Sequence, residues 1–135
     1  VQVMSETREL HVAGGAEHLA RRLKDWLKRQ ARNDLEKASH AYGNAMGLKF
    51  SRITVRDQTS RWGSCSANGT LSYSWRLVLA PPDILDYVAA HEVAHLEEMN
   101  HSKAFWRLVE QHCPHTRHAR KWLKDHGAKL HRYGA

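Results

Sequence analysis

The sequence is poor in cysteine and has no long apolar run. Two cysteines in 135 residues exclude a disulfide framework, so a reducing, cytoplasmic location is the expectation. No stretch approaches the ~20 consecutive apolar residues that a membrane-spanning helix needs. No charged and then apolar start resembles a secretion signal. Disulfide-rich secreted proteins and membrane proteins are therefore poor matches to this chain.

The composition is that of a small folded domain. Hydrophobic residues make up 41% and charged residues 26% of the chain, which is close to the average of globular proteins. The length allows one hydrophobic core but is too short for a second. We therefore expect residues 1–135 to form a single domain. Because the chain begins at Val1 rather than Met, we expect an excerpt or a processed form of a longer protein.

The pattern of apolar residues changes near Gly47. Before it, they recur at steps of three and four, which predicts a long helix; they are Leu19, Leu23, Trp26, Leu27, Ala31, Leu35, Ala38 and Tyr42. Residues 50–55 show a short β-type pattern, and Asn68-Gly69 suits the turn of a hairpin. Alternation then predicts a strand over residues 71–79. Two further helices are expected at about 102–112 and 116–127, separated by Pro114.

The segment His91-Glu92-Val93-Ala94-His95 carries the chemistry. On a helix, residues four apart lie one above the other, so His91 and His95 can share a metal ion with Glu92 beside it. His101 is the candidate third ligand, because Asn100 suits a helix stop and Ser102 a helix cap, which would let the chain turn back. Three protein ligands and an open fourth position are typical of catalytic zinc. Glu92 is then the expected general base.

Several separated motifs resemble those of the YgjP-like metallopeptidases, bacterial relatives of the SprT and Spartan zinc proteases. They are Arg61-Trp62-Gly63-Ser64-Cys65-Ser66, Trp75-Arg76-Leu77-Val78-Leu79-Ala80-Pro81-Pro82, the segment from His91 to His95, Asn100-His101-Ser102 and Phe105-Trp106. The resemblance implies a zincin-like α+β fold with an N-terminal helix, a small antiparallel sheet with a hairpin, the H-E-x-x-H helix and C-terminal helices. It also implies Zn²⁺ held by His91, His95 and His101, Glu92 as the catalytic acid/base, and a missing N-terminal region. Members often carry Asn where this chain has Ser74.

The sequence allows more than one interpretation of how a substrate would be bound. A protein substrate could add a strand to a free sheet edge, either at the 71–79 strand or at the preceding one; alternatively the hairpin only supplies core. Arg76, Tyr73 and Tyr87 are candidates by residue type for stabilising an oxyanion, although each also fits a packing role. The tryptophans at 62, 75, 106 and 122 are expected in the core. The oligomeric state is left open.

The two cysteines also have ordinary interpretations. Cys65 lies in an expected strand and is interpreted as a small buried residue rather than a nucleophile. His112, Cys113, His115 and His118 are donor types suited to a second metal. Their spacing matches no standard zinc pattern, however, and Pro114 interrupts it.

The charge balance suggests a second class of function. The net charge is +7, and residues 115–135 hold six Lys or Arg against one Asp. Such a surface could bind the phosphates of DNA or RNA; its candidates are Arg21, Arg22, Lys28, Arg29, Arg120, Lys121 and Lys124. Resemblance to Spartan-type proteases, which act on proteins crosslinked to DNA, points the same way. The hypotheses are a zinc peptidase, a nucleic-acid-binding module with a structural metal, and a metal-dependent hydrolase of a non-peptide amide. A general base at Glu92 argues against a purely structural metal.

Overall fold

A computed structural model describes residues 2–58 and 60–132, with side chains from Gly15 onward. The first element, α1 (Gln2–Met46), is interrupted at Gly15, which has a φ of 81°. The helix ends where Gly47 takes a φ of 72°, a left-handed conformation that glycine adopts at low cost. The predicted apolar stripe packs against the core from Leu27 onward, with Ala31 and Leu35 fully buried. Within these described ranges, no helix combines the length and apolarity that crossing a bilayer requires.

Three short strands form the sheet, in the order β1-β3-β2. They are β1 (Arg52–Arg56), β2 (Gly63–Cys65) and β3 (Thr70–Ser74). β2 and β3 form the predicted antiparallel hairpin, with Gly69 at positive φ in its turn. β1, however, runs parallel to β3, with Ile53 opposite Leu71. The sheet is therefore mixed rather than wholly antiparallel, because β1 joins the far side of β3 in the same direction as β3.

The strand predicted over residues 71–79 is wrong in its second half. β3 ends at Ser74, and Trp75–Leu79 forms a 3-10 turn whose first residues are buried. The Ser74 hydroxyl accepts a hydrogen bond from the backbone N–H of Arg76 at 3.3 Å, which caps the turn. The alternation of apolar side chains was misleading here because the polar residues between them are buried too.

The helix that carries the H-E-x-x-H segment lies at the centre of the fold. This helix, α2 (Pro82–Ala94), starts at a proline, as Pro at the first helical position favours. It packs against α1, β2, and the two helices α3 (Lys103–His112) and α4 (Thr116–His131). The predictions of these last two helices and of the α+β class are confirmed. Trp75 is buried, whereas the other three predicted core tryptophans are half-buried against the core.

Candidate active site

Three histidines converge at the end of α2. His91 lies in the last turn of α2, His95 is its C-terminal cap residue, and His101 lies just before α3. The Nε2 atom of His101 is 3.2 Å from that of His91 and 3.2 Å from that of His95. Nitrogen ligands about 2.0–2.1 Å from a tetrahedral zinc ion are separated by about 3.3 Å. The structure thus brings the three predicted ligands together at a spacing that fits one metal ion.

The hydrogen bonds of the rings support this fit. The Nδ1–H of His95 donates to the carbonyl oxygen of Glu98 at 2.9 Å, and the Nδ1 of His91 lies 3.1 Å from the Tyr87 hydroxyl. The His95 contact leaves the Nε2 lone pair of His95 facing His101, and the one hydrogen that the Nε2 of a neutral His101 can carry cannot serve both of its neighbours. A cation would satisfy all three nitrogens. Such partners on the outer ring nitrogen are usual for metal-binding histidines.

The protonation states of the rings are also those of ligands. Burial, followed by the proximity of His95 and His101, lowers the pKa of His91 to about 3. Burial likewise lowers the pKa of His95. Both rings are therefore neutral near pH 7, and a neutral imidazole is the form that binds a metal.

The Glu92 carboxyl is enclosed beside the histidines. Its residue is 5% exposed, and burial raises its pKa to about 8, partly opposed by the charge of Arg61. A Cβ atom on Gly63 would lie 2.9 Å from the Cγ and 3.0 Å from the Oε2 of Glu92. The backbone of β2 therefore passes directly against this carboxyl, and only glycine leaves room for it. A carboxyl with a pKa near neutrality can both accept and return a proton.

The first turn of α3 closes one side of the site. The Ser102 hydroxyl accepts a hydrogen bond from the N–H of Phe105 at 3.2 Å and so caps α3. The fully buried Phe105 stacks on the ring of His95, with centroids 4.4 Å apart. Trp106 stacks beside His101. The guanidinium carbon of Arg120 lies over the Trp106 ring, 4.0 Å from its centroid. This packing fixes the direction in which His101 points.

A cleft of about 190 Å³ opens next to the carboxyl, lined by Trp62, Gly63, Tyr87, Val88, His91, Glu92 and Leu123. β2 is an edge strand beside it, whereas β3 is paired on both sides. The 71–79 region therefore cannot offer a free edge. Of the two strands considered from the sequence, the preceding one borders the site.

The three residues that were candidates for stabilising an oxyanion have other partners in the structure. The buried guanidinium of Arg76 pairs with Asp57, and the buried hydroxyl of Tyr73 is 2.8 Å from that of Ser39. Tyr87 lies at the site, where its hydroxyl contacts the ring of His91. Because His91 is four residues later on the same helix, this contact could have been predicted from the sequence. The close approach of Gly63 had no signal in the sequence. Burial raises the pKa of the half-buried Cys65 thiol to about 11, which disfavours a nucleophilic role.

Comparisons with known proteins identify a family and a similar fold. The family described as YgjP-like, metallopeptidase domain, matches residues 2–126. Among solved structures, the crystal structure of the metallopeptidase zymogen of Pyrococcus abyssi abylysin is similar, with a TM-score of 0.61 and 24% sequence identity. The match covers 73% of this chain and 96% of that one, and it shows a shared fold. None of the curated proteins compared matches the chain.

Proposed function

The chain belongs to the YgjP-like metallopeptidase family, and we propose that it hydrolyses peptide bonds with Zn²⁺ held by His91, His95 and His101. The observation that carries this proposal is that the Nε2 atom of His101 lies 3.2 Å from those of both His91 and His95, beside the buried carboxyl of Glu92. Nitrogen donors in this number suit zinc. A structural metal would need no such carboxyl.

The chain's own residues account for the movement of protons. A zinc ion, when bound, would polarise the substrate carbonyl and make water easier to deprotonate. Glu92 takes the proton of the attacking water and passes it to the leaving amine. Its position against the backbone of Gly63 holds the carboxyl in one place. His91 and His95 stay neutral and oriented by their Nδ1 contacts.

An extended peptide is the substrate that the surroundings fit best. β2 is at the sheet edge, and its first residue, Gly63, contacts Glu92. A peptide paired with this edge would pass the carboxyl, with backbone hydrogen bonds supplying affinity for many sequences. The neighbouring cleft has apolar walls at Trp62, Val88 and Leu123. We therefore expect an apolar side chain next to the cleaved bond.

Metal removal and reloading test the proposal. The chain is stripped with a chelator, reloaded with Zn²⁺, and assayed on an unfolded polypeptide and on a set of small non-peptide amides. We expect cleavage of the polypeptide only after reloading, and none by the His95→Ala variant. Cleavage confined to the non-peptide amides would instead support the alternative hydrolase. Cleavage by the stripped chain would exclude a metal-dependent mechanism. The cytoplasmic location stays a prediction.

A basic groove supports a second candidate property, binding of nucleic acid by a peptidase that acts on DNA-associated proteins. The groove has a volume of about 600 Å³ and is lined by Glu110, Arg117, Arg120, Lys121, Lys124 and Asp125. Arg120 also stacks on Trp106 beside the histidines, so its replacement would disturb the active site. Lys121 pairs with Asp125 at 2.9 Å. Arg117 and Lys124 are therefore the cleaner positions for a test.

Charge reversal separates nucleic-acid binding from catalysis. The double variant R117E/K124E should bind duplex DNA more weakly at low salt, while cleavage of a short free peptide is unchanged. Affinity of the unaltered chain should fall with salt by a log–log slope of about −0.9 per phosphate neutralised. The variant K37E/K49E, with the same change of net charge elsewhere, is the control. Equal weakening in both variants would point to net charge alone rather than to the groove.

A further inference from the structure

A second group of metal-binding side chains lies on another face of α2. Among the residues that the structure describes, two clusters have donor atoms close enough to share an ion, and the second consists of Asp86, Cys113 and His115, with all donor atoms within 4.8 Å of one another. Asp86 belongs to α2, Cys113 is the C-terminal cap residue of α3, and His115 is the N-terminal cap residue of α4. None of these residues takes part in the site described above.

The structure selects only part of the histidine- and cysteine-rich segment noted in the sequence. The ring of His112 contacts the carbonyl oxygen of Leu108 at 3.1 Å, and His118 pairs with Asp83 at 3.1 Å. Cys113 and His115 come together with Asp86, which lies 27 residues before Cys113 in the sequence. Pro114 turns the chain between the two helices, so that both of its neighbours face α2.

Two electron-rich atoms meet the same ring nitrogen of His115. Its Nε2 is 2.8 Å from the Oδ2 of Asp86 and 3.3 Å from the Sγ of Cys113. A neutral ring nitrogen carries at most one hydrogen, in one direction, and can serve only one of these partners well. Sulfur and nitrogen ligands of tetrahedral zinc are about 3.6 Å apart, and nitrogen and oxygen ligands about 3.3 Å. The observed distances are slightly shorter, so small side-chain movements would admit an ion.

The surroundings of this cluster resemble those of a prepared site. The Tyr42 hydroxyl donates a hydrogen bond to Asp86. Such a contact orients a metal-binding carboxylate. The residue Cys113 is fully buried, whereas the side chains of Asp86 and His115 are 36% and 30% exposed. An ion can thus approach from solvent and reach a thiol that solvent does not.

We propose that Asp86, Cys113 and His115 bind one divalent metal ion, with Zn²⁺ the best match to a donor set of one sulfur, one nitrogen and one oxygen. Binding replaces the S–H bond of Cys113 with a sulfur–metal bond and releases one proton to solvent, without any redox change. The ion links α2 to the junction of α3 and α4. Since α2 carries His91 and α3 follows His101, this link holds together the elements that position the first site.

Cobalt substitution distinguishes the two sites by their ligands. The metal-free full chain is titrated with Co²⁺ under reducing conditions, and the bound metal and the near-ultraviolet spectrum are measured. Only a site with a thiolate ligand gives a sulfur-to-cobalt charge-transfer band, which three histidines cannot produce. We expect two equivalents of Co²⁺, the band in the unaltered chain, and loss of the band when Zn²⁺ is added.

Variants assign the band to its residues. His95→Ala should lose one equivalent but keep the band, whereas Cys113→Ser should lose the band and keep one equivalent. Cys65→Ser is the matched control, because Cys65 is the other cysteine of the chain and lies half-buried near Glu92. This variant should keep both the band and the two equivalents of Co²⁺. If Cys113→Ser does not fold, Asp86→Asn keeps the thiol and should weaken cobalt binding at least tenfold. A single equivalent without the band, or a band that survives Cys113→Ser, would overturn the proposal.

Discussion

Two groups of three candidate metal-binding side chains lie at different faces of α2, and the groups differ in what surrounds them. His91 and Asp86 are five residues apart, which places them about 140° apart around the helix. The first group, His91, His95 and His101, lies beside the enclosed carboxyl of Glu92 and an open cleft. In the second group, Asp86, Cys113 and His115, the carboxylate is itself a candidate ligand and accepts a hydrogen bond from Tyr42.

The comparison indicates that the surroundings of a metal-binding group, more than its donor atoms, determine whether it can support catalysis. Catalysis needs a group that can accept a proton and a place for substrate, and only the first group has both among the described residues. The second group instead lies between one helix and the ends of two others, so an ion bound there would connect these elements.

The largest effect is expected from Glu92→Gln. The variant keeps the shape of the side chain but removes its ability to accept a proton, so peptide cleavage should fall by about 10²–10⁴-fold. Metal content should not change, because Glu92 is not a proposed ligand.

The matched variant Asp86→Asn should show the opposite pattern, with cleavage within a fewfold of normal and weaker metal binding at the second group. Activity of the zinc-loaded variants and their bound metal, measured together, check both expectations. Near-normal cleavage by Glu92→Gln would mean that another group is the base.

Gly63→Ala should follow, with a loss of about 10²-fold in cleavage. The added Cβ would approach the Cγ of Glu92 to 2.9 Å, so the carboxyl must move, and a misplacement of about 1 Å in a catalytic group can cost this much. Metal binding should be unchanged at both groups. Gly69→Ala is a poorer probe of the site, since it strains a turn with a φ of 87° instead. An active Gly63→Ala variant would show that the close approach has no catalytic purpose.

The convergence of the first group was predictable from sequence because two of its candidate ligands are four residues apart in the H-E-x-x-H segment. His101 was predicted from two expected caps. The Ser102 cap is present in the structure, but the expected helix stop at Asn100 is wrong, because α2 already ends at Ala94. The second group was not predictable, because Asp86 belongs to one helix and Cys113 and His115 to a turn between two others. Their proximity depends on how α2 packs against α4, which spacing in the sequence does not encode.

The sheet shows the same limit on a smaller scale. The hairpin was predicted because its turn and its alternation are local signals. The parallel pairing of β1 with β3 and the 3-10 turn at Trp75 depend on contacts with α1 and α2. Burial of Arg76, paired with Asp57, made a polar position part of the core and left the periodicity ambiguous.

Two tyrosines give a matched pair of smaller effects. Tyr87 contacts the Nδ1 of His91 at 3.1 Å, and Tyr42 donates to Asp86. Loss of such a partner lowers metal affinity by about 10–100-fold. Tyr87→Phe should therefore weaken zinc binding at the first group only, with cleavage restored by excess Zn²⁺. Tyr42→Phe should weaken the second group only. Competition with a chelator of known affinity measures both, and a crossed pattern of losses would contradict the separation of the two groups.

The smallest effect concerns His115→Ser, whose effect on the free energy of unfolding should change sign when metal is added. His115 is the N-terminal cap residue of α4 but makes no side-chain cap hydrogen bond. A serine there could supply one, worth about 0.5–2 kcal/mol, and would remove the half-exposed contact of His115 with Asp86, worth about 0–1 kcal/mol. In chelator, the free energy of unfolding of His115→Ser should therefore lie within about 1 kcal/mol of the unaltered chain, or above it.

Zinc should reverse that order. Metal at the first group stabilises both proteins alike, so its contribution cancels in their difference. Metal at the second group stabilises only the unaltered chain, by about 2.7 kcal/mol when free zinc is a hundred times the dissociation constant. Urea unfolding of both proteins, with chelator and with Zn²⁺, gives the four free energies needed. If the difference between the two proteins is the same in both conditions, Asp86, Cys113 and His115 form a hydrogen-bonded cluster and nothing more. A difference that grows with zinc concentration requires an ion at the junction of α2, α3 and α4.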